Sequence, residues 1–246
     1  MADFIIHQTD ARMFFLRQEL GFSPKKNTHI FAPNILLGAK DLEGFNGGEI
    51  VIGGRADNEA IALFNSLDIK YFNMLEDEIF QARNARLTAE GTLDIILSHS
   101  FVSLDRMKVL VIGFGRTGAA AVKLLRDVGV NTLTVATNSS LRPAMAFADN
   151  VIKSSNFDFA PYDIVINTAP QQIIDDKEIL TFSSSAIYID LASKPALSLN
   201  FAKYLGNEDL PVPLNPSRII KWDAANPLIK NLIVSISKYN FSSFAR

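Results

Sequence analysis

The sequence predicts an α/β protein of two domains, in which a doubly wound parallel sheet follows a smaller α/β domain. Three observations carry that prediction. The stretch Lys108-Val109-Leu110-Val111-Ile112-Gly113-Phe114-Gly115-Arg116-Thr117-Gly118, followed by Ala119 to Leu125, reads as buried strand, glycine turn and helix in immediate succession. Ahead of it, short β-like runs alternate with helical patterns, as they do where strands pair in parallel. The 246 residues also exceed the usual size of one domain.

Taken in order, Phe4 to His7 is a short β-like run, and Thr9 or Asp10 can cap a helix bearing Met13, Phe14, Leu16, Arg17 and Leu20 as far as Gly21. Strands are expected at His29 to Ala32, at Glu49 to Ile52 and at Ile69 to Phe72, with a helix from Asp57 to Leu67 after Gly53-Gly54. These elements make a flavodoxin-like, substrate-side domain over 1–80. Apolar residues at Ile79, Phe80, Leu87, Leu93, Ile96 and Leu97, with few breakers between Glu76 and His99, predict one or two connecting helices over about 81–105. A Rossmann-type domain then occupies 106–215. Within it Gly129 ends the first helix, and Asn131 to Ala136 returns as the second strand. Asp163 to Asn167 breaks at Thr168-Ala169-Pro170, and Ala186 to Leu191 breaks at Ala192-Ser193-Lys194-Pro195. From Ser217 a helix is expected to about Tyr239, interrupted at Pro227, so that 216–246 packs back on the first domain.

The glycines point to a nucleotide. Gly113 permits a sharp turn, Gly115 leaves a pyrophosphate free to approach the backbone, and Gly118 lets the helix lie close to the strand. Phosphates then sit at the helix N-terminus beside Arg116 and Thr117. NAD sites usually place a carboxylate near the end of the second strand for the ribose 2′-hydroxyl, whereas this chain offers Thr137, Asn138, Ser139, Ser140 and Arg142, which favours NADP over NAD. The loops at Thr168 to Pro170 and at Ser193-Lys194 follow strand carboxyl ends, where nicotinamide and substrate bind in such sheets. The plainer readings stay open: an empty turn, a polar loop with a helix cap, and prolines that only end strands.

Composition excludes several classes. The net charge is −2 with both signs interspersed, so neither nucleic acid nor an anionic membrane is expected as partner. The absence of cysteine removes disulfides, thiolate metal sites and a Cys nucleophile, and suits a reducing compartment. Asp3, His7, Asp10 and Arg12 interrupt any apolar run that would serve as a signal peptide or span, so the expectation is a cytoplasmic protein. His7, His29 and His99 form no metal-spaced set and the carboxylates show no ligand pattern, so no metal is expected.

Four stretches carry a family resemblance: Asp10-Ala11-Arg12, Leu87-Thr88-Ala89-Glu90-Gly91, Gly113 to Gly118, and the pair Ile166 to Pro170 and Ile189 to Pro195. In these the chain resembles the A subunit of dipicolinate synthase, a bacterial sporulation protein. The resemblance implies a two-domain relative of the 2-hydroxyacid dehydrogenases that uses NADP and acts with a flavoprotein B subunit on a dihydrodipicolinate-pathway dicarboxylate. For such a dianion, Arg12 and Lys194 are the candidate cations, Glu90 and Lys194 the candidate catalytic groups, and Thr88 and Ser193 the orienting hydroxyls. The chain departs from the family's pattern at His7-Gln8-Thr9, where a Gly-Gly pair is common, and at Val212 to Pro216, and it is shorter than typical members. No histidine follows His99, which counts against ordinary hydride transfer to a 2-keto acid. A non-catalytic nucleotide-binding or regulatory scaffold, or a dehydrogenase-like enzyme with another substrate, is therefore the alternative, and a homo-oligomer is compatible with either.

Overall fold

Period-two alternation builds the first sheet. In the computed structural model, which describes residues 4–7, 13–14, 16–17, 27–138, 141–183, 185–192, 196–197 and 218–221, the chain divides into two units, one holding Met1–Leu87 and the other Thr88–Asp223. The first carries β1 (Ile5–Ile6), β2 (Thr28–Ile30), β3 (Leu36–Leu37), β4 (Ile50–Gly53), β5 (Arg55–Ala56) and β6 (Lys70–Asn73). Four of these pair in parallel in the order β1-β2-β4-β6, and β3 pairs with β5 as a separate ribbon. Ile30, Ala32 and Ile52 face one side, with Phe4, Ile6 and Phe80, while Phe31 and Val51 face the other, with Leu37, Ala60 and Phe64. Both faces are covered, which is why the central strand β4 opens on an unbroken apolar run, Ile50 to Ile52. α1 (Asn58–Ser66) buries Ala60 and Phe64, four residues apart, and is started by Asp57, whose carboxylate accepts from the Ala60 N–H at 2.8 Å. The strand order rises without a reversal, so the described strands of this sheet offer no switch point for a ligand crevice.

One polar pair sits on this sheet. His7 Nε2 and His29 Nδ1 lie 3.0 Å apart, the His7 ring stacks on Phe31 with centroids 3.9 Å apart, and His29 tilts against Phe45. A hydrogen bond between two imidazoles needs one ring to donate and the other to accept, so it is lost when both are protonated. Burial first, and then the neighbouring His29, lowers His7 from 6.5 to about 4, against the opposing pull of Asp41. His29 is lowered by its own burial against the pull of Glu49.

The second unit is organised differently. α2 (Glu78–His99) opens on Asp77, whose carboxylate accepts from the Phe80 N–H at 2.8 Å. Phe80 and Leu87 pack in the core of the first unit, and Ile95 and Ile96 in that of the second. There follow β7 (Lys108–Ile112), α3 (Arg116–Asp127), β8 (Thr132–Ala136), α4 (Leu141–Met145), β9 (Asn150–Ile152), β10 (Ile164–Asn167), α5 (Asp176–Ile179), β11 (Ile187–Asp190) and β12 (Arg218–Lys221). All six strands are parallel, in the order β12-β11-β10-β7-β8-β9. Val109, Val111 and Val135 pack with Val122 and Leu125 of α3 on one face, and Leu110, Ile112 and Tyr188 pack with Phe157, Phe159 and Phe182 on the other. The order reverses between β7 and β10, the place where a Rossmann-type sheet opens a crevice at its carboxyl edge.

The architecture is the expected α/β fold with parallel sheets, and three details differ from the sequence reading. The helix expected from Ser217 is, over Arg218–Lys221, the strand β12, because Ile219 and Ile220 extend the sheet beside β11 in register with Tyr188 and Ile189. The β3–β5 ribbon and β9 were not anticipated, being too short to show a period. Of the helix expected from Thr9 or Asp10, residues 13–14 and 16–17 are helical, and the rest, like the remainder of the 216–246 segment, lies outside the described residues. No helix among the described residues is long and apolar enough to cross a membrane.

The histidine pair generates a pH prediction. An unfolded His7 takes a proton below about 6.5, whereas the folded one refuses it until about 4, so the unfolded state binds more protons between the two values. Stability contributed by neutral His7 is therefore complete above pH 6.5 and declines as pH falls toward 4. Thermal unfolding midpoints measured across this range should drop, and His7→Phe, which keeps the stack on Phe31, should flatten the dependence. An unchanged slope in that variant would remove the pair as its cause.

Candidate functional site

The site is built where β7 ends. Gly113 turns with φ of +92°, a conformation side chains rarely adopt, and a Cβ there would lie 2.5 Å from Thr168 Oγ1. Gly118, in the first turn of α3, faces the Gly113 carbonyl oxygen so closely that a Cβ would lie 2.3 Å from it. The helix is thus pressed directly onto the strand end. Gly115 is opposite in character, being exposed, ordinary in backbone conformation and clear of any atom within 4 Å of where its Cβ would be. Gly115 is also the N-cap of α3, so open space adjoins the helix's first turn, whose N–H groups have no carbonyl of their own helix to bond. Such N–H groups, the positive end of the helix dipole and a backbone without side chain together suit a pyrophosphate.

The neighbouring strand ends are tied to this turn. The N–H and the hydroxyl of Thr168 both donate to the Ile112 carbonyl, at 2.8 and 2.9 Å. One residue earlier, fully buried Asn167 accepts from the Ala169 N–H at 3.0 Å and donates through Nδ2 to the Ala169 carbonyl at 3.2 Å and to Asp190 Oδ1 at 3.0 Å. Asp190 closes β11 and is itself buried. Its Oδ1 also accepts from the Ala192 N–H at 3.0 Å, and its Oδ2 accepts from the Tyr188 hydroxyl at 3.0 Å and the Ala196 N–H at 3.2 Å. The Ala196 carbonyl in turn accepts from the N–H groups of Ile173 and Ile174 on the loop that follows β10. One carboxylate therefore gathers both ends of the 192–196 loop and links them to the neighbouring one. Burial, and then the Asp190 charge, push the Tyr188 phenol well above its ordinary 10, so it remains a donor.

Gly113, Gly115, Arg116, Thr117, Gly118 and Thr168 come together at the carboxyl end of β7, with Pro170 exposed on the adjoining loop. On the other side, Thr137 is buried and its N–H donates to the Ile152 carbonyl at 3.0 Å, while exposed Asn138 accepts from the Ser154 N–H at 3.0 Å. Arg142 falls in α4. Glu90 is half-buried on α2, and the Thr88 carbonyl accepts from the buried Thr92 hydroxyl at 2.8 Å one helical turn on. Arg12, Ser139, Ser193 and Lys194 lie outside the described residues. Asn167, Tyr188 and Asp190 were not among the sequence candidates. The signal that could have found two of them is an Asn and an Asp each closing an otherwise apolar strand, since such a position is buried and obliges its polar atoms to find partners.

Two substitutions test this construction. Gly118→Ala should destabilise the second unit by about 1–3 kcal/mol through overpacking against the Gly113 carbonyl, read as a lower urea midpoint. Asp190→Asn, with its NH₂ turned to the Tyr188 hydroxyl, which can accept, still sets an N–H against the Ala196 N–H and leaves that buried donor unsatisfied at about 1–3 kcal/mol. Equal stability of Asp190→Asn and wild type would show that the network does not hold the loop.

No family model matches the chain. Over 190 residues it is 25% identical to the A subunit of dipicolinate synthase from Bacillus subtilis (strain 168), a match covering 74% of this chain and 59% of that protein, less than two thirds of the relative's length. Among solved structures, the A subunit of dipicolinate synthase from Bacillus halodurans superposes with a TM-score of 0.69 at 16% identity over 96% of both chains. D-lactate dehydrogenase of Salmonella superposes with a TM-score of 0.56 at 11% identity, over 96% of this chain and 95% of that one. The chain is thus similar to the dipicolinate synthase A subunit, and it shares an α/β fold with parallel sheets with that subunit and with D-lactate dehydrogenase.

Proposed function

We propose that this chain is a cytoplasmic NADP-binding oxidoreductase-type subunit that acts, with a flavoprotein partner, on a dihydrodipicolinate-pathway dicarboxylate. The observation that carries the reading is the open space over Gly115 at the start of α3, flanked by Gly113 and Gly118, whose own surroundings admit no side chain. The similarity to the dipicolinate synthase A subunit supports the substrate class. A bound NADP would supply hydride acceptance, the chemistry that turns a dihydropyridine ring into a pyridine. The first turn of α3 would hold its pyrophosphate. Arg12 and Lys194 are proposed to pair with the two substrate carboxylates, each of which is costly to bury without a charge-assisted partner. Thr88 and Ser193 would orient the ring, and Glu90, or Lys194 itself, would take the proton that leaves with the hydride. The buried Asp190 carboxylate supports this scheme by anchoring Ala192 and Ala196 on either side of Ser193 and Lys194.

The test has two parts. Fluorescence titration should show NADPH binding to the wild-type chain and at least about a hundredfold loss, roughly 3 kcal/mol, in Gly115→Val, whose Cβ meets no atom within 4 Å beyond its chain neighbours and whose folding is checked by its thermal midpoint. Undiminished affinity in the folded variant would remove the nucleotide from this turn. Co-purification with the flavoprotein partner, followed by assay with the dihydro precursor, should then give NADP reduction together with pyridine dicarboxylate absorbance. A complex that forms without turnover would instead favour a nucleotide-binding scaffold, the reading motivated by His7-Gln8-Thr9 and by Val212 to Pro216.

A further inference from the structure

The second strand of the Rossmann-type sheet carries the ribose, and in NAD sites a carboxylate at its end binds the 2′-hydroxyl. Here that strand is β8, and its outer neighbour is β9, with Thr134 opposite Asn150, Val135 opposite Val151 and Ala136 opposite Ile152. Continued by one residue, the register sets Lys153 beside Thr137, on strands about 4.8 Å apart. Two hydrogen bonds hold that register past the end of the strands: the Thr137 N–H donates to the Ile152 carbonyl at 3.0 Å, and the Ser154 N–H donates to Asn138 Oδ1 at 3.0 Å. They bracket Lys153 on both sides. The residue is exposed, and among the described residues no carboxylate is paired with it. Neither 137–142 nor 153–157 contains an acid. Asp149, at the far end of β9, is occupied by Arg126 at 2.8 Å and by the Leu133 N–H at 2.7 Å. The carboxyl edge of β8 and β9 thus presents a cation and no anion where a ribose 2′-substituent would lie.

We propose that Lys153 binds the 2′-phosphate of NADP(H) and is a determinant of preference for the phosphorylated cofactor. The inference rests on the nucleotide-binding reading and adds a residue that the chain carries sixteen positions after Thr137. A phosphate dianion gains a charge-assisted contact from the ammonium, whereas the 2′-hydroxyl of NADH gains little. A carboxylate at the same position would do the reverse, repelling the phosphate and accepting from the hydroxyl.

The experiment is fluorescence titration of NADPH and of NADH against wild type, Lys153→Ala and Lys153→Glu, with thermal midpoints recorded for all three. Wild type should prefer NADPH, Lys153→Ala should weaken NADPH on the order of tenfold with NADH changed less than about twofold, and Lys153→Glu should invert the preference. Retention of the wild-type NADPH preference in both variants would overturn the proposal, as would equal weakening of both cofactors. Equal wild-type affinities for NADPH and NADH would overturn it too, while leaving the site at Gly115 standing. Failure of the nucleotide reading itself would show separately, as no binding of either cofactor to the wild-type chain.

Discussion

The close seating of α3 on the end of β7 is the constraint from which the rest of the second unit follows. The Gly113 carbonyl lies where a side chain on Gly118 would be, and Thr168 Oγ1 lies where one on Gly113 would be. Three elements, β7, α3 and the end of β10, therefore meet at contact distance with nothing between them. That contact sets the start of α3 at the carboxyl end of β7, next to the strand-order reversal, and it leaves Gly115 as the turn glycine that faces open space. This local geometry is what lets an ordinary helix start suit an anion.

A second layer of order comes from polar groups that burial leaves no choice. Asn167 and Asp190 each end a strand inside the protein, and water is not at hand to satisfy them. Their hydrogen bonds run sideways between strands and forward into the loops, so the same atoms that satisfy the core also shape the carboxyl edge of the sheet. Among the described residues no buried side-chain nitrogen or oxygen lacks a partner. The histidine pair of the first unit is the counterpart there, a half-buried polar contact that is lost when both rings are protonated.

How far these features could be read in the sequence depended on how local their causes were. The α/β class, most of the longer strands, the start of α1 at Asp57 and the glycine turn were legible, because period, caps and turn residues act over a few neighbouring positions. The β3–β5 ribbon, β9 and β12 were not. A pair of residues in a strand has no period, and Ile219-Ile220 can enter a helix or a sheet until a partner such as β11 is present. Burial is likewise not legible from one segment: Thr137, a polar residue at the end of β8, is buried in the folded chain.

The sequence by itself determined that a parallel sheet would form, that a nucleotide-type turn would follow its first buried strand, and that no acid would stand at the end of the second. Those are properties of adjacent residues, carried by backbone freedom and side-chain chemistry. Tertiary structure alone decided that Asp190 would serve two loops at once, that Asn167 would reach it across 23 positions, and that Lys153 would stand beside Thr137. The physical reason is that pairing between strands is set by hydrogen bonds and packing between segments far apart in the chain, and no pattern within either segment records which neighbour it will find.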